Sequence, residues 1–482
     1  MIQEVRKRLE ALPPDRLWEV ARRFGEAVAS DGLRVLKTKE SGEIEHVPIP
    51  PLLTPVSPDP DAAAAARDLL AAVVRVARAI LDGRVPEPPG LFTGLTPLEE
   101  RCVRGKWRDA ERVASARVDF LRDDGGRLRA LEVNTTIPAM QGYSDIVARG
   151  FVTHVAPALG AAPDAVARAL AMLPSNVDDL RRSLLAHAAE TGAGRAGRWA
   201  ILARENDAQD GELAWIAARW REAGLDPVRV TPSTFAASAP YDLVYRHLFA
   251  RRVEPGQPLE AVLENARANA VWNPVNAHLE IKGMVALVSA ATADPSFARA
   301  CELDEALLET ARRVLPWTRL LLPGETTGPD GARVEDLGAF AAAHAGDLVL
   351  KRSWDYGGRS VFLAEDFESG PNARIQAATG HAISTWAELV RFAASDPDGD
   401  WIVQERVRPR RERHLRVAGG APEWADLFTD VSAFSGHGAA FAPSGLTCRA
   451  SGSVVVNIVS GGGMAPILGD DVLRALFDQP RG

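Results

Sequence analysis

Four polar side chains, three of which could hold a metal ion, lie in two alternating runs in the first third of the chain. Arg117 and Asp119 alternate with apolar residues, and Glu132 and Asn134 do the same further on. The sequence between the two runs includes Asp-Asp-Gly-Gly at 123–126. Alternation on both sides of a pair of glycines predicts a β-hairpin. Because successive side chains of a strand point to opposite faces, we expect all four polar groups on one face of the hairpin.

The register of this hairpin decides which polar groups meet. A two-residue loop at 125–126 would place Asp119 opposite Glu132 and Arg117 opposite Asn134. The other face would then be filled by the apolar side chains Val118, Phe120, Leu131 and Val133. A slip of one step would pair Arg117 with Glu132 instead, and the four polar groups would still share a face.

Two interpretations of the polar face remain open from the hairpin alone. Carboxylates that face each other repel by about 4 kcal/mol at roughly 4 Å when the effective dielectric constant is about 20. A divalent cation between Asp119 and Glu132 would remove this repulsion, and Mg²⁺ prefers such oxygen ligands, often taking one or two carboxylates beside substrate phosphates. The alternative is an Arg117–Glu132 ion pair on a solvated sheet face.

A lysine and two glycines mark a second segment, residues 348–363. Lys351 follows an apolar run that predicts a strand, and the turn after it contains Gly357 and Gly358. Backbone N–H groups of a glycine turn can approach phosphates closely because glycine has no Cβ. A lysine beside the turn would add a positive charge for the same oxygens. The alternative is an ordinary hairpin with an exposed lysine.

Three later segments carry weaker signals. The strand-like run 401–407 ends in Gln404–Glu405, as a segment that offers backbone groups to an adenine edge would, or as an ordinary strand end would. The run 406–416 contains six arginines; most are expected to pair with Glu and Asp at the surface, with Arg416 the best candidate for an inward role. Glycines 461–463 follow a valine-rich run and permit either close approach to a ligand or a mobile loop.

The pattern of predicted strands and helices around these segments indicates a mixed α/β chain. Strands at 199–202, 228–230 and 243–245, with a helix at 211–223, predict a small α/β unit with parallel pairing. A second region with mixed elements is predicted from residue 348. Its strands are expected near 348–353, 360–364, 401–405, 412–418, 424–430 and 453–458.

Composition excludes several classes of protein. The 482 residues carry 56 Lys and Arg against 64 Asp and Glu, a net charge of −8, which argues against general binding to nucleic acid or anionic membranes. Three distant cysteines without a CxxC pattern indicate neither a disulfide framework nor a zinc ribbon. Residues 1–14 are charged and helical, unlike a signal peptide, and the apolar run 62–81 is interrupted by charges, unlike a membrane span. We therefore expect a cytoplasmic protein.

In their order along the chain, these segments resemble the circularly permuted ATP-grasp family, which includes glutathionylspermidine synthase. In that family an R-x-D strand and an E-x-N strand come early, and the lysines and hinge that hold ATP come later. The matching residues here are Arg117–Asp119, Glu132–Asn134, Lys282 in EIKGMVALV, Lys351 in LVLKRSWDYGG and Gln404–Glu405 in WIVQERV. The closing CRAS (448–451) and VVNIVSGGG (455–463) segments are also similar. The resemblance spans about residues 99–468.

The resemblance implies an α/β (α+β) fold with a circularly permuted ATP-grasp architecture and an inserted small α/β domain. It divides the chain into a mainly helical region at 1–95 and a part with the metal-binding hairpin at 96–194. A small pre-ATP-grasp-like domain follows at 195–275, and the nucleotide-clamping region at 276–482.

The resemblance also implies roles for single residues. Asp119, Glu132 and Asn134 would hold Mg²⁺, and Arg117 would stabilise charge in the transition state. The residues implied to hold ATP are Lys282 and Lys351 at the phosphates, Gly357 and Gly358 over them, and Gln404, Glu405 and Val407 around the adenine.

The implied reaction is the ligation of a carboxylic acid to an amine, with ATP and Mg²⁺ as cofactors. An acylphosphate would form first, and the products would be an amide, ADP and phosphate. The substrates would be small molecules or peptides. The chain has no amidase domain with a catalytic cysteine, so the second activity of glutathionylspermidine synthase is not implied. An ATP-dependent phosphotransferase and a non-catalytic ATP-binding module are the alternatives, and dependence on both an acid and an amine separates them.

Overall fold

The computed structural model describes residues 1–39, 41–192, 197–236, 241–354, 360–368, 373–396, 400–418, 421–436, 445–454, 456, 458 and 462–478. The helices are α1 (Ile2–Glu10), α2 (Pro14–Asp31), α3 (Pro60–Leu81), α4 (Pro97–Ala110), α5 (Gln141–Gly150), α6 (Pro163–Met172), α7 (Asn176–Thr191), α8 (Asp210–Glu222), α9 (Pro258–Glu264), α10 (Lys282–Ala291), α11 (Pro295–Ala300), α12 (Glu305–Val314), α13 (Leu337–Ala343), α14 (Ala373–Thr379), α15 (Trp386–Ser395) and α16 (Asp470–Phe477).

Three larger sheets and two short hairpins are formed from the strands. The strands are β1 (Arg34–Thr38), β2 (Ile44–Pro48), β3 (Ala116–Arg122), β4 (Leu128–Asn134), β5 (Arg198–Ala203), β6 (Asp226–Val230), β7 (Leu243–His247), β8 (Val271–Trp272), β9 (Thr318–Leu320), β10 (Thr326–Thr327), β11 (Arg333–Val334), β12 (Leu348–Arg352), β13 (Val361–Phe362), β14 (Trp401–Glu405), β15 (Arg411–Ala418), β16 (Ala421–Ser435), β17 (Leu446–Ser451) and β18 (Gly463–Ala465). The architecture is mixed α/β, as the sequence predicts.

The central sheet joins two parts of the chain that are far apart in sequence. Its strand order is β18-β17-β16-β3-β4, with β15 also paired to β16, and each pairing is antiparallel. The early hairpin β3–β4 therefore lies beside the late strand β16, where Asp119 pairs with Ser432. Residues that are far apart in sequence consequently lie next to each other in one sheet.

The predicted pairing of the polar residues in the hairpin is confirmed, although two local details differ. Asp119 faces Glu132 and Arg117 faces Asn134. The loop has three residues rather than two, because Asp123 and Arg127 close it through a backbone hydrogen bond of 3.0 Å. Its last residue, Gly126, has φ +78°, a conformation that glycine adopts without strain.

A β-bulge compensates for the longer loop. Phe120 faces Ala130 whereas Asp119 faces Glu132, so Leu131 is the extra residue. The prediction that Leu131 packs in the core is therefore wrong: its side chain lines the large cavity described below, and Ala130 takes its place in the core.

The opposite face of the central sheet is covered by helices. Val118, Phe120 and Val133 are buried against α3, α10 and α12 in one apolar core. Helix α3 begins after Asp59, whose side chain accepts the backbone N–H of Ala62. Burying one such apolar side chain contributes about 1.5–3 kcal/mol. The polar row of the hairpin is thus attached to a rigid support.

The small α/β unit has the predicted parallel pairing. Its sheet has the order β6-β5-β7-β8, and the pairs are parallel. Strand β5 is apolar and buried almost throughout, as is typical of parallel strands covered on both faces. From β5 the chain passes through α8 to β6 on one side, and β7 then pairs with the other side of β5. The strand order therefore reverses between β5 and β7.

The third of the larger sheets carries the lysine segment. The sheet β13-β12-β14-β9 is antiparallel, and Lys351 on β12 faces Ile402 on β14. The strand predicted near 453–458 is wrong for its described residues, since the final strands are β17 and β18. Val454 and Val456 instead line the cavity, which explains their apolar character without a strand.

The N-terminal region contributes to two cores shared with later elements. Helices α1 and α2 pack with α5 and α16, and α3 packs on the central sheet. The hairpin β1–β2 lies against α8, and Leu36 donates its backbone N–H to the carbonyl of Ala208, which precedes that helix. None of the described helices combines the length and apolar composition needed to cross a bilayer. The domain boundaries given above stay predictions.

Candidate active site

A cavity of about 520 Å³ lies where the three larger sheets approach one another. Volumes of this size are typical of small-molecule sites. One wall comes from the central sheet, a second from β12 and β14, and a third from the segments that follow β5 and β7. Predicted site residues that line it are Arg117, Asp119, Glu132, Asn134, Lys351, Gln404, Glu405 and Val407.

Lys282 lies beside this cavity rather than in its lining. It is the first residue of α10 and lines a smaller space of about 40 Å³, which also contacts Glu132 and Asn134. Its Nζ is 3.6 Å from Oε2 of Glu132. Gly357 and Gly358 fall outside the described residues. The structure therefore brings nine of the eleven predicted site residues to one region.

Asp119 is held by two guanidinium groups. Arg117 donates Nε to its Oδ1 at 2.6 Å and Nη2 to its Oδ2 at 3.0 Å, and Arg449 donates to Oδ2 at 3.2 Å. Burial alone would raise the pKa of Asp119, but the charges of Arg117 and Arg449 outweigh it and hold this pKa below its ordinary value. Asp119 is therefore ionised at neutral pH. The alternative Arg117–Glu132 ion pair is wrong, since Arg117 pairs with Asp119.

Lys351 is a buried cation at the centre of the second wall. Its side chain donates to Oε1 of Gln404 at 2.6 Å, and Gln404 donates in turn to the Thr318 hydroxyl at 2.9 Å. Burial lowers the pKa of Lys351 to about 8; Glu132 opposes this shift and Lys282 adds to it. The alternative of an exposed lysine is wrong, because only 6% of Lys351 is exposed.

The segment 404–407 runs along the cavity at the end of β14. The carboxylate of Glu405 accepts hydrogen bonds from Arg129 at 2.9 Å and from the backbone of Trp317 at 3.2 Å. Its side chain is thus fixed to neighbouring elements. The backbone N–H groups of Glu405 and Arg406 already donate to Trp317 at 2.7 Å and to Asp347 at 2.8 Å. The segment can therefore offer a ligand its remaining backbone groups and the apolar side chain of Val407.

The chemistry of the predicted metal ligands fits Mg²⁺ in part. Two carboxylates and an amide are oxygen donors of the kind that Mg²⁺ prefers, and Glu132 and Asn134 reach the cavity. Asp119 differs, because both of its oxygens already accept hydrogen bonds from arginines, and it would have to release one of them to coordinate an ion. Within the described part of the chain, no three His, Cys, Asp or Glu side chains are grouped to hold a metal.

Arg449 is a site residue that the sequence analysis did not select. It is nearly buried on β17 and bridges Asp119 and Asp430, donating Nε to the latter at 3.1 Å. The prediction of an inward role for Arg416 is wrong: it pairs with Glu423 and is 37% exposed. Alternation along 446–451 would have placed Arg449 on one face of a strand, but that strand was not predicted.

The third wall of the cavity was also missed. It is formed at the carboxyl ends of β5 and β7 by Arg204, Asp207, Gln209, His247, Leu248, Phe249 and Arg252. This is the point at which the strand order of the parallel sheet reverses, and open α/β sheets bind ligands in the crevice at such a point. Here His247 is buried and its Nε2 lies 2.8 Å from Oε1 of Gln209. Burial lowers the pKa of His247, so the ring is neutral.

No family model and no curated protein matches the chain. Among solved structures, it is similar to a glutathione synthetase-like effector from Globodera pallida in its apo form, with a TM-score of 0.58, 15% identity, and coverage of 95% of this chain and 98% of that chain. A protein provisionally described as a gamma-glutamylcysteine synthetase, from Methylobacillus flagellatus KT, aligns with a TM-score of 0.37 and 12% identity over 83% of this chain and 88% of that one, too low to support a conclusion.

The first of these similarities concerns the fold alone. The 5% of the chain left uncovered corresponds to about 24 of the 482 residues. The shared fold therefore extends into residues 1–95, which carry none of the sequence motifs.

Proposed function

We propose that the chain is an ATP-dependent carboxylate–amine ligase, built on a circularly permuted ATP-grasp architecture and acting through an acylphosphate. The observation that carries the proposal is the convergence of three walls on one cavity: the Arg117–Asp119–Glu132–Asn134 row, the buried Lys351 beside 404–407, and the crevice between β5 and β7. The shared fold with a protein described as glutathione synthetase-like supports it.

The proposed reaction has two steps. An oxygen of the acid attacks the terminal phosphorus of ATP and ADP leaves. The amine then attacks the acyl carbon, phosphate leaves with that oxygen, and the amine loses a proton. Phosphoryl transfer depends on positioning and charge neutralisation more than on covalent help from the protein. Buried cations next to a cavity of the right size provide both.

Each residue has a role in this reaction that follows from its position around the cavity. Lys351 and Lys282 bind the ATP phosphates, which replace Gln404 and Glu132 as the partners of their ammonium groups. The backbone of 405–407 and the side chain of Val407 contact the adenine. Arg117, fixed against Asp119, faces the reacting phosphoryl group and stabilises the charge that develops there. The 357–358 turn would cover the phosphates.

Mg²⁺ would be held by Glu132 and Asn134, with Asp119 as the third ligand once it exchanges a guanidinium contact. When bound, Mg²⁺ would neutralise phosphate charge and orient the terminal phosphate. Glu132 fits this role best because it reaches the cavity and its partner Lys282 is itself a proposed phosphate ligand.

The acid or the amine occupies the crevice between β5 and β7. Arg252 lies there as a partner for a carboxylate. Arg204 and Asp207 pair with each other at 3.2 Å and would exchange that contact for a carboxylate and an ammonium group of the substrate. This charge pattern supports substrates that carry both groups, such as amino acids and short peptides.

The experiment is a screen of amino acids, short peptides and polyamines, in pairs, for ADP release with Mg²⁺. A ligase requires both an acid and an amine, and the product mass equals their sum less one water. ADP release with one acceptor, whose mass increases by a phosphoryl group, would show a phosphotransferase. ATP binding with no turnover for any pair would indicate a binding module.

A further inference from the structure

Glu212 is a buried carboxyl group that has no role in the proposed chemistry. It lies in the first turn of α8 and is 0% exposed. Its Oε1 accepts the backbone N–H groups of Met140 at 2.8 Å and Gly142 at 3.0 Å, while its Oε2 has no hydrogen-bond partner among the described residues. Burial raises the pKa of Glu212 to about 7. Burying a carboxyl group without a paired cation is costly, and an apolar residue in its place would leave the two N–H groups without this acceptor.

The two N–H groups belong to the turn 139–142, which leads into the first residues of α5 and also holds Arg117. The carbonyl of Ala139 accepts Nη1 of Arg117 at 2.9 Å. Met140 has φ +96°, in the left-handed region that residues with a side chain rarely adopt. Such a conformation persists only where surrounding contacts hold it. Glu212 supplies two of those contacts. It thereby helps to fix the carbonyl of Ala139, which accepts the hydrogen bond from Arg117.

Close packing fixes α8 against this turn. A Cβ at Gly142 would lie 3.0 Å from Cγ of Glu212, and a Cβ at Gly211 would collide with the backbone oxygen of Gly32. The beginning of α8 therefore has little room to shift between the turn and the N-terminal region. The position of the Glu212 carboxyl group is therefore fixed by the packing of the elements around it.

We infer that Glu212 is a positioning residue, which fixes the turn 139–142 and through the carbonyl of Ala139 sets the orientation of Arg117. Its effect on turnover rests on the proposed function, whereas its coupling to Arg117 does not. Helix α8 belongs to the small parallel-sheet unit, so this carboxyl group connects the unit that forms the crevice with the arginine on the opposite wall.

The first test is a double-mutant cycle on the unfolding equilibrium, with Glu212→Leu and Arg117→Met. If Glu212 acts through the turn that holds Arg117, the two losses are less than additive. We expect a coupling of about tenfold in the unfolding constant, which is about 1.4 kcal/mol. The matched control is Ile216→Ala on the same helix, an apolar side chain buried in the core with Trp199 and Trp220, and its loss should add to that of Arg117→Met. Additivity of Glu212→Leu and Arg117→Met would overturn the inference.

The second test uses turnover. Glu212→Leu should lower kcat about a hundredfold and leave the Kd of MgATP within about twofold, since Arg117 is assigned to the transition state rather than to ATP binding. Glu212→Gln keeps an oxygen for the same two N–H groups and should recover most of kcat. In the Arg117→Met background, Glu212→Leu should have no further effect on kcat. An equal loss in both backgrounds would contradict the inference. If the parent protein does not turn over ATP, the proposed function fails, and the stability cycle still decides the role of Glu212.

Discussion

Asp119 and Glu132 face each other directly across β3 and β4, and each carboxylate has cations of its own. Arg117 and Arg449 donate to Asp119, and Lys282 lies 3.6 Å from Glu132. The repulsion expected between two facing carboxylates is therefore countered by these arginine and lysine side chains. Neutralising Asp119 removes the shorter ion pair, whose carboxylate is buried, whereas neutralising Glu132 removes the longer one, whose carboxylate is partly exposed.

Asp119→Asn should destabilise the metal-free protein by about 3 kcal/mol, because removing one member of a buried ion pair leaves an uncompensated charge. Glu132→Gln should cost less than about 1 kcal/mol, since its ion pair is longer and partly exposed. Denaturant melts of both variants in EDTA measure the difference. Equal, small losses would show that the Arg117–Asp119 pair contributes little.

Arg449→Met should destabilise the protein by about 3–5 kcal/mol, because it leaves Asp430 buried without a cation and removes one partner of Asp119. Adding Asp430→Asn should restore part of that loss, since one of the two carboxylates is then neutral. The unfolding free energies of the single and double variants check this. A double variant that is no more stable than Arg449→Met would contradict the assigned bridge.

ATP affinity should fall as pH rises from about 7 to 9. Lys351 has a pKa of about 8 without ligand, and phosphates favour its charged form, so binding must take up a proton once the pH exceeds about 8. The decrease approaches about tenfold per pH unit above that value, and below it Lys351 is already charged and contributes no pH dependence. Calorimetric Kd values across this range test the sign. An affinity that increases over the same range would exclude Lys351 as a phosphate ligand.

MgATP should stabilise the protein by about 2.7 kcal/mol at a hundredfold excess over Kd. Lys351→Met should lose most of this shift while its stability without ligand stays equal or rises, since a buried charge is removed. Lys7→Met, an exposed lysine of α1, is the control that should keep the full shift. A parent protein whose melting is unchanged by MgATP would contradict the nucleotide site.

The pairing in the hairpin could be predicted because two local deviations cancel. A three-residue loop shifts the register by one residue, and the bulge at Leu131 shifts it back, so that Asp119 still faces Glu132. Alternation sets which face a side chain takes only where no extra residue intervenes. A bulge depends on the neighbouring strand and on tertiary packing, and its position is therefore not visible in a local pattern.

Arg449 and the crevice could not be predicted for a different reason. The role of Arg449 depends on the pairing of β17 with β16, which brings it to Asp119 across most of the chain. The crevice depends on the order of the parallel strands, which the sequence of β5, β6 and β7 does not specify. Local alternation favours Arg416 as the inward residue, but its side chain pairs with Glu423 and is 37% exposed.

The most direct test of the proposed ligase follows one oxygen atom. For an acid and amine pair that supports ADP release, the carboxylate of the acid is labelled with heavy oxygen and the released phosphate is analysed by mass. An acylphosphate requires one labelled oxygen to pass from the acid to phosphate for each amide formed. The account predicts this transfer in the parent protein and its loss, with turnover, in Lys351→Met. Amide formation with unlabelled phosphate, or ADP release with the phosphoryl group retained on the acceptor, would contradict it.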